Sequence, residues 1–383
     1  MISLWILPAL TCFILLLWGE VALFFGLRRL VDLRKVPPLV EPPFPPVSVI
    51  VAARNEERHL EEALGTLLGL DYPAFDVIVV DDRSTDGTPA ILERLGSKFP
   101  RLRALRVSEL PEGWLGKCHA LSQGAKVARG DYLLFTDADI LFHPTALRKA
   151  MACLRREGLD HLAVVPGLRM PGALLGSIVA TFGLFFMLFF RPWKAPNPRS
   201  RAHIGIGAFN LVRKELYEKI GGHESVRCCP VDDVKLGQRL KEAGGRQAAA
   251  IGVDLLSVEW YASVGELIRG LEKNAFAAFG YRLSWVALST LVIAGLSAGP
   301  VVLAILAKGA LSWVLGGGSI LLLWAMYLDQ VRIQRISLRS LALFPLALGI
   351  LVYVQWRSAI KTLLRGGIEW RGTIYPLSEL RKP

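Results

Sequence analysis

Two aspartates one residue apart, Asp137 and Asp139, close an apolar run in the stretch YLLFTDADIL, residues 132–141. The run reads as a buried strand, and acids at its carboxyl end stand where α/β sheets bind their ligands. If the extended conformation persists, the period of two sets both carboxylates on one side. Such a pair suits a hard divalent cation, Mg2+ or Mn2+, that also takes phosphate oxygens from a ligand. Lys117, in GWLGK (residues 113–117), offers a point charge of the kind that meets a diphosphate. Farther on, Asp233 shares a helical face with Leu236 and Leu240 and so points inward. An inward acid beside a leucine stripe is uncommon without a partner or a task. Its neighbour Asp232 fits a helix cap better.

These residues need a scaffold. Residues 47–53, 75–82, 102–107 and 132–135 read as strands. Residues 57–68 and 119–127 read as helices, with a further helix starting at Thr88 and carrying Pro89 in its first turn. The order βαβα predicts an α/β class with a Rossmann-like, mostly parallel sheet. AARNEE (52–57), DDRSTDGT (81–88), GWLGK and DAD (137–139) then all fall at carboxyl ends of strands, on one rim.

In that order these stretches resemble the family 2 glycosyltransferases of the GT-A fold, over about residues 47–245. The resemblance implies that Ala52, Arg54 and Glu56 line a nucleotide-sugar pocket with Asp82, Lys117 and Asp137. It implies that Asp82 accepts from a uracil ring, and that Asp137 and Asp139 hold the metal that grips the diphosphate. Asp82 also makes sense alone, since a carboxylate accepts from an imide N–H that cytosine lacks. The segment 205–244 resembles the acceptor half of the family, with Asp232-Asp233 where the family has a Glu-Asp pair. Asp233 is then the general base of an inverting transfer, with His223 and Asp232 as weaker acceptor contacts.

Composition adds the setting. The chain is 52% hydrophobic with a formal charge of +12, and its basic residues gather beside apolar runs rather than among aromatic stacking residues. Membrane flanks explain them better than nucleic acid does. The 5 cysteines show no CxxC spacing, so neither a disulfide framework nor a zinc site is indicated. We divide the chain into a transmembrane helix (1–26), a basic, proline-rich linker (27–46) acting as a stiff spacer, and a catalytic domain (47–282). The last contains an apolar segment (172–190) read as interfacial, because a crossing there would separate the metal acids from Asp233. A membrane region (283–356) follows, with runs at 285–307, 309–328 and 341–356, and then a basic tail (357–383). Three full crossings would put that tail outside, against the charge bias, so one run, by preference the last, is expected to re-enter. The catalytic domain is expected on the cytoplasmic face of a bacterial-type inner membrane.

The expected activity is transfer of a sugar from a nucleotide sugar to a membrane lipid. A polyprenyl-phosphate sugar synthase stays open as the alternative. A processive polysaccharide synthase ranks lower, since no QxxRW stretch occurs, and a non-catalytic nucleotide-sugar binder leaves Asp233 without a task. The stretch IEWRGTIY (368–375) resembles tails of related lipid-directed transferases and receives no role from its chemistry alone.

Overall fold

The computed structural model describes residues 6–306 and 309–381. The start of the first apolar run, Lys308 between the next two, and Lys382 lie outside the described residues. A helix, α1 (Ile6–Leu27), leads into a short strand, β1 (Val31–Asp32). Then come β2 (Val47–Ala53), α2 (Leu60–Leu68), β3 (Phe75–Asp82), α3 (Thr88–Lys98), β4 (Leu102–Val107), α4 (Gly116–Val127) and β5 (Tyr132–Asp137). Strands β2 and β3 are Val/Ile runs buried on both faces, as parallel strands under helices must be. Two expected boundaries move. The first helix begins at Leu60 because the N–H groups of Glu56 and Glu57 donate to the Thr88 hydroxyl and the Asp86 carboxylate instead. Helix α4 begins at Gly116, so Lys117 sits in its first turn and not in a loop. The extended chain also stops at Asp137, so a turn and not the pleat places Asp139.

The domain continues through β6 (Leu141–Phe142), α5 (Ala146–Glu157), β7 (His161–Leu168), α6 (Ala173–Phe190), β8 (Asn210–Arg213), α7 (Lys214–Lys219), α8 (Asp232–Glu242) and β9 (Gln247–Val258). One sheet runs β1-β9-β7-β8-β5-β2-β3-β4, with β6 on β9. Only β8 and β6 run antiparallel to their neighbours. The linker is no free spacer: β1 pairs with β9, Tyr72 donates to the Pro45 carbonyl (2.8 Å), and Arg148 donates to that of Leu39 (2.7 Å). Proline-rich chain without internal hydrogen bonds is held by side chains of the domain it crosses.

After the sheet, α9 (Val264–Ala278) turns by 109° into α10 (Leu283–Ser297). Next are α11 (Gly299–Leu306), α12 (Ala310–Ile333), α13 (Phe344–Arg365), the hairpin β10 (Gly367–Trp370) and β11 (Thr373–Pro376), and α14 (Leu377–Leu380). The run 285–307 is broken before Gly299, where Pro300 cannot continue the hydrogen-bond ladder. Among the described residues, four helical stretches are long and apolar enough to cross a membrane: Ile6–Leu27, Ala173–Lys194, Ala310–Ile333 and Leu338–Arg365. Their placement divides them. Helices α1 and α12 run side by side, Gly318 meeting Phe13 and Gly19 meeting Met326, and α11 returns along α12 where Gly316 faces Ala304. By contrast, α6 and α13 start and end beside the catalytic domain. The chain enters α6 just after Arg169 donates to the Val258 carbonyl of β9, and leaves it at Trp193, packed on Gly26 at the end of α1. Helix α13 starts with Phe344 stacked on Tyr327 and ends in the hairpin that reaches α4.

Candidate active site

Gly207 joins the two acidic stretches. Its carbonyl accepts from the Asp137 N–H (3.1 Å), and its own N–H donates to Asp233 Oδ2 (2.7 Å). A Cβ at Gly207 would come within 2.8 Å of Asp137 Oδ2 and 3.3 Å of Lys117 Nζ. Glycine is therefore what lets the end of β5, the first turn of α4 and the start of α8 meet. Lys117 Nζ lies 2.7 Å from Asp137 Oδ1 and 3.9 Å from Asp232 Oδ1. Against the cost of burial, the carboxylates of Asp137, Asp232 and Asp233 hold the lysine well above its usual range. Lys117 in turn keeps Asp137 low, although burial opposes it.

The acids of α8 behave differently. Burial pushes Asp232 up to about 6; Lys117 opposes this, and the charges of Asp233 and Asp137 add to it. Burial also raises Asp233, with Lys117 and the N–H groups of Val234 and Gly207 pulling it back. Each Asp233 oxygen takes one main-chain donor, which fixes the carboxylate and leaves a lone pair on each for an incoming hydroxyl. The inward direction read from the leucine spacing holds more fully for Asp232, which is buried, while Asp233 is half-buried. His223 forms part of the cavity floor beside Lys117, Asp232 and Asp233. The Tyr217 hydroxyl faces its Nδ1 (2.9 Å), its ring packs on Phe135, and burial drops it to about 3, so it is a neutral, fixed ring.

Asp139 is pushed up to about 7 by burial, then by the charges of Asp137 and Glu56. A buried carboxyl beside two other acids is a donor set short of positive charge, and a divalent cation fits that deficit. Among the described residues no group of three or more His, Cys, Asp or Glu side chains converges to hold a metal alone. The remaining ligands of a hard cation then come from phosphate oxygens and water.

The expected nucleotide end is built from two loops locked together. Asn55 accepts from the Thr85 N–H (2.8 Å) and donates its own N–H to the Ser84 hydroxyl (2.9 Å), while Glu57 accepts from the Gly87 N–H (2.7 Å). AARNEE and DDRSTDGT are thus two halves of one hydrogen-bonded rim. Half-buried Ala52, next to last in β2, lies in register with Val80 and Asp137. Asp82 is buried, forked by Arg83 at 2.8 and 3.2 Å, and faced by Arg54 at 3.7 Å. Arg83 was not singled out in the sequence; its left-handed backbone (φ 60°) was the unreadable part. The Glu56 carboxylate is paired with Arg371 from the tail, another residue that local sequence did not announce. Lys273 of α9 lies over the Trp370 ring at 3.9 Å and is lowered to about 8 by burial and by Lys117 and Arg371.

Residues 48–221 match the family model for Glycosyl transferase family 2. Over that stretch the chain is similar to the family 2 glycosyltransferases. The β-monoglucosyldiacylglycerol synthase of Synechocystis sp. is 38% identical over 111 residues, 28% of this chain and 23% of that protein. The 4,4'-diaponeurosporenoate glycosyltransferase of Staphylococcus aureus is 26% identical over 192 residues, 50% of each chain. The matched stretches therefore span between about a quarter and a half of these relatives. Among solved structures, the mannosyltransferase PcManGT of Pyrobaculum calidifontis, in complex with GDP-Man and Mn2+, superposes with a TM-score of 0.54 at 20% identity, covering 94% of this chain and 99% of that one. The fold of the glycosyltransferase domain is GT-A.

Proposed function

We propose that the protein is a metal-dependent, inverting glycosyltransferase that moves a sugar from a nucleotide sugar, of the uridine type, to the hydroxyl of a membrane lipid at the cytoplasmic face. The observation that carries this is the shared glycine: through Gly207, Asp137 and Asp233 belong to one site and act on one sugar. In this reading Asp137 and Asp139 hold a Mg2+ or Mn2+ ion that takes up the charge of the diphosphate. Lys117 binds the same diphosphate from the first turn of α4. Ala52, Arg54, Glu56 and Asp82 line the nucleoside end, with Arg83 holding the Asp82 carboxylate in place. Asp233, oriented by Gly207 and Val234, removes the proton of the acceptor hydroxyl as its oxygen attacks the anomeric carbon. Asp232 balances Lys117 and keeps the pair of acids poised near neutrality.

The lipid acceptor is supported by two features. Helices α6 and α13 both pack on α12 through Tyr327, and α13 leads into the hairpin that reaches α4, so apolar helices stand beside the site. The relatives named for a lipid and for a carotenoid acid act on apolar acceptors. In this arrangement α1, α10 with α11, and α12 cross the bilayer, while α6 and α13 lie in its interface, which keeps Arg357, Lys361, Arg365 and Arg371 on the side of the catalytic domain. That agrees with the charge bias, and with the last apolar run as the one that does not cross. This reading keeps the domain limits expected from sequence, except that Val31 and Asp32 of the linker join the sheet. An Asp233→Asn variant tests the base: loss of transfer supports a hydroxyl acceptor, whereas retained transfer supports the polyprenyl-phosphate alternative, whose acceptor is already anionic.

A further inference from the structure

The last segment of the chain sits against the donor site. After Gly366 ends α13 in a left-handed cap, β10 and β11 fold back as a hairpin, closed by the Leu377 N–H on the Gly366 carbonyl (2.8 Å). Ile368, Tyr375 and Leu380 are buried with Leu115 and Cys118 at the start of α4 and with Phe276 of α9. The Tyr375 hydroxyl accepts from the Gly116 N–H (3.4 Å), one residue before Lys117 and beside Asp82. The hairpin is therefore docked on the helix terminus that the diphosphate would meet. Its tip is Arg371-Gly372, both with positive φ (49° and 78°). A left-handed arginine costs free energy, and such strain persists where surrounding structure imposes it. What it achieves is to put a guanidinium across the rim onto Glu56. Lys273 is the second unexplained cation. Among the described residues it has no ion pair, and it is packed on Trp370 within the field of Lys117 and Arg371. Asp137 and Asp232 oppose that field but are turned to Lys117, so Lys273 keeps no direct anionic partner among the described residues and can take one from an entering diphosphate.

Resting on the glycosyltransferase reading above, we propose that the hairpin is the roof of the donor site, and that Arg371 and Lys273 grip the donor's diphosphate from the side opposite Lys117. Arg371 exchanges Glu56 for phosphate oxygens when the donor enters, a swap its planar fork suits. Trp370 holds Lys273 in position.

The test is calorimetric binding to the purified full chain, with Mn2+ present, of UDP and GDP against uridine and guanosine. Arg371→Ala and Lys273→Gln are each expected to weaken the bound diphosphate about tenfold or more while the matching nucleoside changes less than about twofold, with Arg371→Lys intermediate. Should Arg371→Ala fail to fold, Arg371→Lys and Lys273→Gln carry the comparison. Unchanged diphosphate affinity, or an equal loss of nucleoside and diphosphate, overturns the proposal and leaves the hairpin a structural brace. If the wild type binds GDP and not UDP, the uridine assignment fails and the roof is judged on the GDP-guanosine pair. A wild type that binds neither diphosphate overturns both readings.

Discussion

Gly207 shows how finely the residue scale is set, because a single methyl there meets both Asp137 and Lys117. Gly207→Ala is expected to cut donor turnover by at least tenfold while thermal stability falls little, since the atoms the methyl would meet are side-chain ends that can retreat. Activity and melting temperature measured on one preparation check the split. Asp233→Asn is expected to lower kcat by about 10²–10⁴-fold with KM for the donor nearly unchanged. The pH profile belongs to the same residues. Burial raises both acids of α8, Asp232 to about 6 with the charges of Asp233 and Asp137 adding to it, so the pair binds a proton more readily than ordinary carboxylates do. Transfer needs the unprotonated pair, so kcat/KM should fall as pH drops through about 6 rather than about 4. In Asp232→Asn the neighbouring charge is gone, and the remaining limb should move to lower pH. A limb that stays near 6 in that variant contradicts the assignment.

At the scale of elements, α8 is placed by two glycines. A Cβ at Gly237 would overlap the Ile204 carbonyl, and one at Gly205 the Asp233 carbonyl, so helix and loop pack backbone to backbone. Gly237→Ala is expected to destabilise the fold by about 1–3 kcal/mol, read from a denaturant series, because main chain cannot step aside as a side chain can. The elements also show what a sequence discloses. Strands β2, β3 and β5 were legible because parallel strands buried on both faces are apolar runs with acids at or just beyond their ends. Strand β9 was not, since its start, Gln247 to Ala250, is alanine-rich and has no β signature until it pairs with β7. The site divides the same way. Asp82, Asp137, Asp139 and Asp233 lie in local motifs, whereas Arg371 and Tyr375 enter the site only because α13 turns the chain back along the domain. The length of α13 was hidden too, because its last turns carry Arg357, Lys361 and Arg365 on an otherwise apolar helix.

For the whole molecule, the proposed arrangement puts the catalytic domain and α14 on one side of the membrane and Gly309, at the start of α12, on the other. A cysteine at Gly309 should react with a membrane-impermeant maleimide added from outside cells, and one at Arg381 should not; the reverse pattern contradicts the orientation. In the proposed function one site, made from Asp137, Asp139 and Asp233, glycosylates a membrane lipid. Lipid mass spectrometry of membranes from cells making the wild type or Asp233→Asn, supplied with candidate lipid acceptors, tests it most directly. The account predicts a lipid that gains one sugar mass with the wild type and not with the variant. An equal gain with both, or a purified wild type that turns over no nucleotide sugar in the presence of lipid and Mn2+, contradicts it.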